Sequence, residues 1–455
     1  MRPCAWLAMV AAAVGLAWNW RRWLPAAAIF LGIFAFFFTT VFSNQYGLVT
    51  GMIGSLGYWI DQQEVMRGGQ PWYYFYMLVP LYEFLPMALS LAGLVAWIVA
   101  RLRRPATGET VQASETVAPT KAADGVAAGS ETLADAPAIS VQSLFEAFLV
   151  FWPAATWAVF TWVGEKMPWH TVYFAMSLAP LGGWWLGHII DRIDWRGAGR
   201  RNILWLMALV PLFLVALKAL LPPAEDRPFA GVSVDQLSDT AQWLLALVVM
   251  LVLIYFLYDR VAALGVRQSL RVAAVSLAAL LLVLTIGVSY RFNYINYDYP
   301  IEPMVYAHAT PDITLAMAQI EELSRKTVGD HAIRVAYDDE STWPLEWYFR
   351  DYPNKVYFGS SPSRDSMDSP IVIAGDPNTS KVRPYLGDRY YEFNYRLIWW
   401  PRETYKDMTI ERLWQGVRDP AQRKLFWDVV IHRRYTTPTA TWDPIKRFSM
   451  FVRKD

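Results

Sequence analysis

The chain has 455 residues, of which 55% are hydrophobic and 18% charged, with a formal net charge of +1. Soluble domains carry roughly 25% charged residues, so the low charge content and positive mean hydropathy argue against an ordinary water-soluble protein. The near-zero balance gives no reason to expect nucleic acid as a partner, and the single cysteine, Cys4, excludes an internal disulfide and a cysteine-built metal site.

Charge is sparse before Tyr290 and dense after it, as in a membrane region followed by a soluble domain. Crossing roughly 30 Å of hydrocarbon takes about 20 apolar residues. Eight stretches qualify, near 5–20, 23–42, 73–100, 143–163, 170–190, 202–221, 241–258 and 272–290. The first two read as a helical hairpin. No small-residue cleavage site precedes Arg21-Arg22, and a second apolar stretch follows at once, so a removed leader peptide is not expected.

The loop 43–72 has apolar residues at helical spacing with Tyr58 and Trp59, as in a helix lying in the membrane interface. Asp61 and Glu64 are candidate bases on one face of it. The stretch Arg67-Gly68-Gly69-Gln70-Pro71 is a turn, and Arg67 is a candidate phosphate contact. Glu83 falls about ten residues into the third span, on the order of 15 Å below the surface at 1.5 Å per residue. A carboxylate there needs a partner or a water-filled cavity. Residues 105–140 are rich in Ala, Thr, Ser, Glu and Gly and almost free of aromatics, so they are expected to be a disordered cytoplasmic linker. The linker splits the membrane region into 1–104, with three spans, and 141–290, with five.

Between the fourth and fifth spans lies Gly164-Glu165-Lys166-Met167-Pro168-Trp169-His170. Ionisable groups held at a membrane surface by so short a turn are costly and often mark a substrate path. Lys166 is the leading candidate for binding a lipid phosphate, with Glu165 and His170 beside it. An ion pair that merely ends two helices is the plainer alternative. Basic residues select the cytoplasmic side, and Arg21-Arg22, Arg101/Arg103/Arg104, Arg192/Arg196/Arg200/Arg201 and Arg260/Arg267/Arg271 fall in alternate loops. That pattern places loop 43–72, the Glu165-Lys166 turn and residues 291–455 outside the cytoplasm. It also places the N-terminus outside, as expected for a chain whose earlier spans are missing.

After Tyr290 the pattern becomes α/β. A helix is expected over Pro311–Lys326, a strand over Ala332–Tyr337, an acidic tip at Asp338-Asp339-Glu340 and a second helix from Ser341 or Thr342 to Asp351. Strands follow at Lys355–Phe358 and Pro370–Ala374, a helix or turn at Lys381–Asp388, and a strand at Arg389–Ile398. Leu425–Tyr435 and a basic tail close the chain. Strand–helix–strand order implies a small, mostly parallel sheet, with the acidic tip at a carboxyl end where such sheets bind ligands. Asn378-Thr379-Ser380 fits a glycosylation acceptor. No P-loop, dinucleotide fingerprint, zinc ligand set or nucleophile elbow occurs.

The string Glu165-Lys166-Met167-Pro168-Trp169-His170, followed by a span with Pro180, resembles the PMT/ArnT-like GT-C membrane glycosyltransferases. The strings Gly54-Ser55-Leu56-Gly57-Tyr58-Trp59, Arg67-Gly68-Gly69-Gln70-Pro71-Trp72-Tyr73-Tyr74, Leu81-Tyr82-Glu83-Phe84-Leu85-Pro86 and Trp343-Pro344-Leu345-Glu346-Trp347-Tyr348 look like the flippase activity-associated proteins, in their C-terminal portion. The resemblance implies a mainly α, GT-C-like membrane protein of about eight spans with an extracytoplasmic C-terminal α/β domain. It further implies transfer of a sugar from a polyprenyl-phosphate donor on the outer membrane face. Membrane lipid and a polyprenyl-phosphate-linked sugar would be its partners. Lys166 and Arg67 would steady the departing phosphate, with Glu165, His170 and Glu83 in support. The family's catalytic Asp lies in a segment with no match here, so no catalytic residue can be named, and a missing N-terminal half or partner subunit would supply it. No cofactor is expected, and a divalent metal is left open. The alternatives are a non-catalytic accessory that handles or flips lipid-linked sugars and a transporter; no inverted repeat favours the latter.

Overall fold

The computed structural model describes residues 2–55, 57–58, 60–61, 66–103, 141–196, 199–221 and 228–454, without the side chains of 2–8, 52 and 67. The expected linker 105–140, Trp59 and Glu64 lie outside the described residues. The chain forms two compact units, one of Met1–Tyr74 with Ala158–Met167 and the other of Phe75–Trp157 with Pro168–Asp455.

In the first unit, α1 (Arg2–Phe38) is interrupted at Asn19, whose backbone is extended. The Asn19 carboxamide oxygen accepts a 3.1 Å bond from the Arg22 amide, which starts a new helix as a capping residue does. A Cβ on Gly15 would meet the Trp23 side chain. Residues eight apart lie about 12 Å apart along a straight helix, so the chain folds back at Asn19. Short helical turns follow at Gly47–Val49 and Thr50–Gly54. Gly47 is required there, because a side chain would run into the Phe38 carbonyl.

The second unit begins with α2 (Tyr74–Tyr82) and α3 (Phe84–Leu102), which are separated at Glu83 (φ −106°, ψ 33°). The expected span 73–100 is met by these two helices, of which Phe84–Leu102 is long and apolar enough to cross a membrane, with Glu83 between them. After α4 (Val141–Trp162), which is shared between the units, come α5 (Thr171–Asp191), α6 (Gly199–Leu220), α7 (Val234–Leu264) and α8 (Val266–Tyr290). Six helices of the described residues are long and apolar enough to cross a membrane: Met9–Phe38, Phe84–Leu102, Val141–Trp162, Gly199–Leu220, Val234–Leu264 and Val266–Ile295. Two of the eight expected stretches, 5–20 and 23–42, fall in α1 on either side of Asn19, and a third, 170–190, is the helix α5. The protein is thus a mainly helical membrane protein with a C-terminal sheet domain.

Small residues let these helices approach. A Cβ on Gly93 would sit 2.9 Å from Trp185 Cβ, and one on Gly182 2.9 Å from Leu89 Cβ, while Ser90 Oγ donates 2.5 Å to the Leu178 carbonyl. This is how apolar helices associate where no hydrophobic gain is available. Ser276 Oγ likewise donates 2.6 Å to the Met207 carbonyl between α8 and α6. The arginine-rich loops meet at one end of the bundle. Arg271 donates 2.8 Å to the Arg192 carbonyl, and Arg260 donates 2.6 Å to Asn202 Oδ1.

The sheet domain holds β1 (His308–Ala309), β2 (Val335–Asp338), β3 (Lys355–Gly359), β4 (Ile371–Gly375), β5 (Tyr390–Trp399) and β6 (Ile445–Arg453), in the order β1-β5-β6-β4-β2-β3. Only β3-β2-β4 is parallel; β4-β6, β6-β5 and β5-β1 are antiparallel. This corrects the mostly parallel sheet expected. The basic tail is in fact β6, and it lies between β4 and β5. Burial of Phe448, Ser449, Met450 and Phe451 on both faces outweighs the terminal Lys and Arg. Helices α9 (Asp312–Thr327), α10 (Thr342–Tyr348) and α11 (Asp376–Leu386) pack against the sheet. Ile313, Ile320, Val335, Leu345, Ile371 and Phe448 form the larger of its two cores. Two further helices, α12 (Ile410–Arg418) and α13 (Pro420–His432), connect β5 to β6.

Candidate functional site

The turn between α4 and α5 carries the first group of candidates. Glu165 and Lys166 are 5% and 4% exposed, and Lys166 Nζ donates to the Val163 carbonyl. Burial lowers the Lys166 ammonium's pKa, because removing water penalises the charged form. His170, also buried, is placed by the turn Pro168–His170 and lies among Phe75, Trp169 and Tyr173, with ring centroids 6.1–6.4 Å away. Thr171, which opens α5, donates 2.9 Å to the Pro168 carbonyl.

Glu165 and Lys166 belong to the first compact unit, and Glu83 and His170 to the second. Within the second unit, His170 meets Phe75 near the start of α2, whereas Glu83 ends that helix. Those positions are eight residues apart, about 12 Å at 1.5 Å per residue. The Arg67 side chain and Glu64 lie outside the described residues, and Asp61 is exposed. Glu83 caps no backbone amide and forms no side-chain hydrogen bond or ion pair among the described residues.

The break at Glu83 adjoins a polar cluster that residue-by-residue reading of the sequence does not reveal. Tyr82, Glu302 and Arg433 lie 220 and 131 positions apart in sequence and meet in a buried knot. Tyr82 Oη donates 2.7 Å to Glu302 Oε2, Arg433 Nε donates 2.8 Å to the same oxygen, and Asn296 Nδ2 donates 2.9 Å to Oε1. The Glu302 and Arg433 side chains are 4% and 11% exposed. The Arg433 guanidinium lies 5.4 Å over the Tyr82 ring. Burial pulls the Arg433 pKa down, but the neighbouring Tyr82 and Glu302 outweigh it and raise it. Burial, opposed by Arg433 and reinforced by Glu302, pushes Tyr435 up to about 12. Thr171 Oγ1 also reaches Met304 Sδ at 3.8 Å. The segment 296–305 therefore ties the mouths of α3 and α5 to the sheet domain. The sequence signal for it is a pair of acids, Asp298 and Glu302, in an aromatic stretch directly after Tyr290.

The acidic tip plays a structural part. Asp338 is fully buried and accepts four bonds, from the Ser341 amide and hydroxyl at 2.9 and 2.5 Å and from Gly375 N and Asn378 Nδ2 at 2.8 and 2.9 Å. It pins the carboxyl ends of β2 and β4 together. Asn378 is 2% exposed and also donates to Asp339, so its amide is not presented for glycosylation. No group of three or more His, Cys, Asp or Glu residues able to hold a metal occurs among the described residues. Comparison with protein-family descriptions, with curated proteins and with solved structures returns no match to this chain.

Proposed function

We propose that the protein is a GT-C-type membrane glycosyltransferase of about eight spans, acting on a sugar carried by a polyprenyl phosphate at the outer membrane face. The observation that carries the reading is the buried ammonium of Lys166 in the turn between two long helices. A cation withheld from water in such a turn is suited to the phosphate of a lipid whose tail stays in hydrocarbon. Lys166 would stabilise charge on the departing lipid phosphate, with its chain neighbour Glu165 supporting it. The base that activates the acceptor is not assigned to a residue. A non-catalytic handler of lipid-linked sugars would use the same cation without a base.

Full-length protein in nanodiscs, supplied with a radiolabelled polyprenyl-phospho-sugar, separates the two. Release or transfer of the sugar, reduced at least tenfold by Lys166→Ala and partly kept by Lys166→Arg, is the expected result. Binding without turnover, lost in Lys166→Ala, supports the accessory reading. Absence of both, or turnover indifferent to Lys166, removes the proposal.

A further inference from the structure

The connection from β5 to β6 holds two helices that no core in the described residues accepts. In α12, Ile410, Leu413, Trp414 and Val417 recur at i, i+3, i+4 and i+7, which puts them on one face of the helix. All four are solvent-facing, from 54% exposed for Leu413 to 87% for Ile410. Neither α12 nor α13 contains a buried residue. In α13, Phe426 and Trp427 are 57% and 55% exposed. The other face of α12 carries Glu411, Arg412, Gln415 and Arg418, and α13 opens with Arg423 and Lys424. A water-soluble surface rarely leaves so continuous an apolar strip uncovered.

Its position identifies the occupant. The final turn of α13 runs into Arg433, whose left-handed backbone ends the helix and whose guanidinium pairs with Glu302. Glu302 also accepts Tyr82 Oη, and the apolar span Phe84–Leu102 starts two residues after Tyr82. The hairpin is thus anchored at the mouth of a membrane span. A strip of Trp, Phe, Leu, Ile and Val opposite Arg and Lys is the composition of a helix that lies in the headgroup region and buries one face in acyl chains. We infer that α12 and α13 form an in-plane membrane anchor, which sinks Trp414 and its neighbours into the leaflet beside the sheet domain. This goes beyond the proposed activity and does not depend on it.

The test uses the full chain in nanodiscs of phosphatidylethanolamine and phosphatidylglycerol. Cys4 is the sole cysteine, so Cys4→Ser gives a clean background. Nitroxide labels are placed singly at Trp414→Cys and Val417→Cys on the apolar face and at Glu411→Cys on the polar face. Collisional relaxation is measured with oxygen, which concentrates in lipid, and with a water-soluble nickel chelate. The expected result is oxygen exceeding nickel several-fold at 414 and 417, and the reverse at 411. Equal nickel access at all three would mean that the strip faces water. Exclusion of both relaxers at 414 and 417 would mean that protein covers it, from a second copy or another partner. Either outcome overturns the anchor. The exposed positions chosen keep folding out of question, and agreement between 414 and 417 guards against a local effect of one label.

Discussion

At the scale of single residues, the Glu302–Arg433 pair matters because both charges are almost wholly withdrawn from water. Such a pair gains little over apolar neighbours, yet removing one member leaves an uncompensated buried charge at a cost of about 3–5 kcal/mol. Arg433→Ala should therefore destabilise the full chain and open the segment 296–305. The double replacement Glu302→Gln with Arg433→Met should lose less than the single change. Thermal unfolding in micelles, with hydrogen exchange of 296–305, would show this. Strictly additive losses would mean that the two side chains do not depend on each other. Tyr82 and Glu83 could be singled out from sequence as a polar break in an apolar stretch. Glu302 and Arg433 could not, because an isolated acid or arginine carries no mark of a partner more than a hundred positions away.

At the scale of elements, the sequence reports what a helix or strand is made of more readily than what it packs against. The long apolar helices follow from composition, and the expected ends of the last four spans fall within a few residues of α5–α8 except where α7 and α8 extend. What was hidden is the strand character of Ile445–Arg453, whose flanking charges mask a centre buried on both faces. The close approach of α3 and α5 was also hidden, since small residues mean nothing until a neighbour is placed against them. That approach can be tested with two glycines of one helix. A Cβ at Gly182 would meet Leu89 Cβ at 2.9 Å, whereas one at Gly187 meets nothing within 4 Å. Overpacking of this kind typically costs about 1–3 kcal/mol, while Ala in place of Gly in a helix gains up to about 1 kcal/mol. Gly182→Ala should lower the unfolding midpoint and Gly187→Ala should leave it unchanged or raise it. Equal responses would show that the α3–α5 contact is looser than described.

For the whole molecule, the question is which side of the membrane receives the sheet domain. The segment 296–305 meets Tyr82 and Thr171 at the starts of α3 and α5. The arginines of the loops that follow α5 and α7 gather at one bundle end, where Arg271 bonds the Arg192 carbonyl. Basic residues are retained on the cytoplasmic side. The arginine end should therefore face the cytoplasm, and the sheet domain, with the turn that holds Lys166 five residues before Thr171, should face away from it. In a Cys4→Ser background, exposed positions report each side: Ser361→Cys on the sheet domain and Arg196→Cys at the arginine end. A membrane-impermeant maleimide added to intact cells should label position 361 and reach position 196 only after permeabilisation. The reverse pattern would put the sheet domain in the cytoplasm. Lys166 could then no longer meet a sugar carrier at the outer face, so the proposed chemistry would fail with the orientation. The in-plane anchor of α12 and α13 would survive, because it requires only a leaflet beside Phe84 and not a particular one.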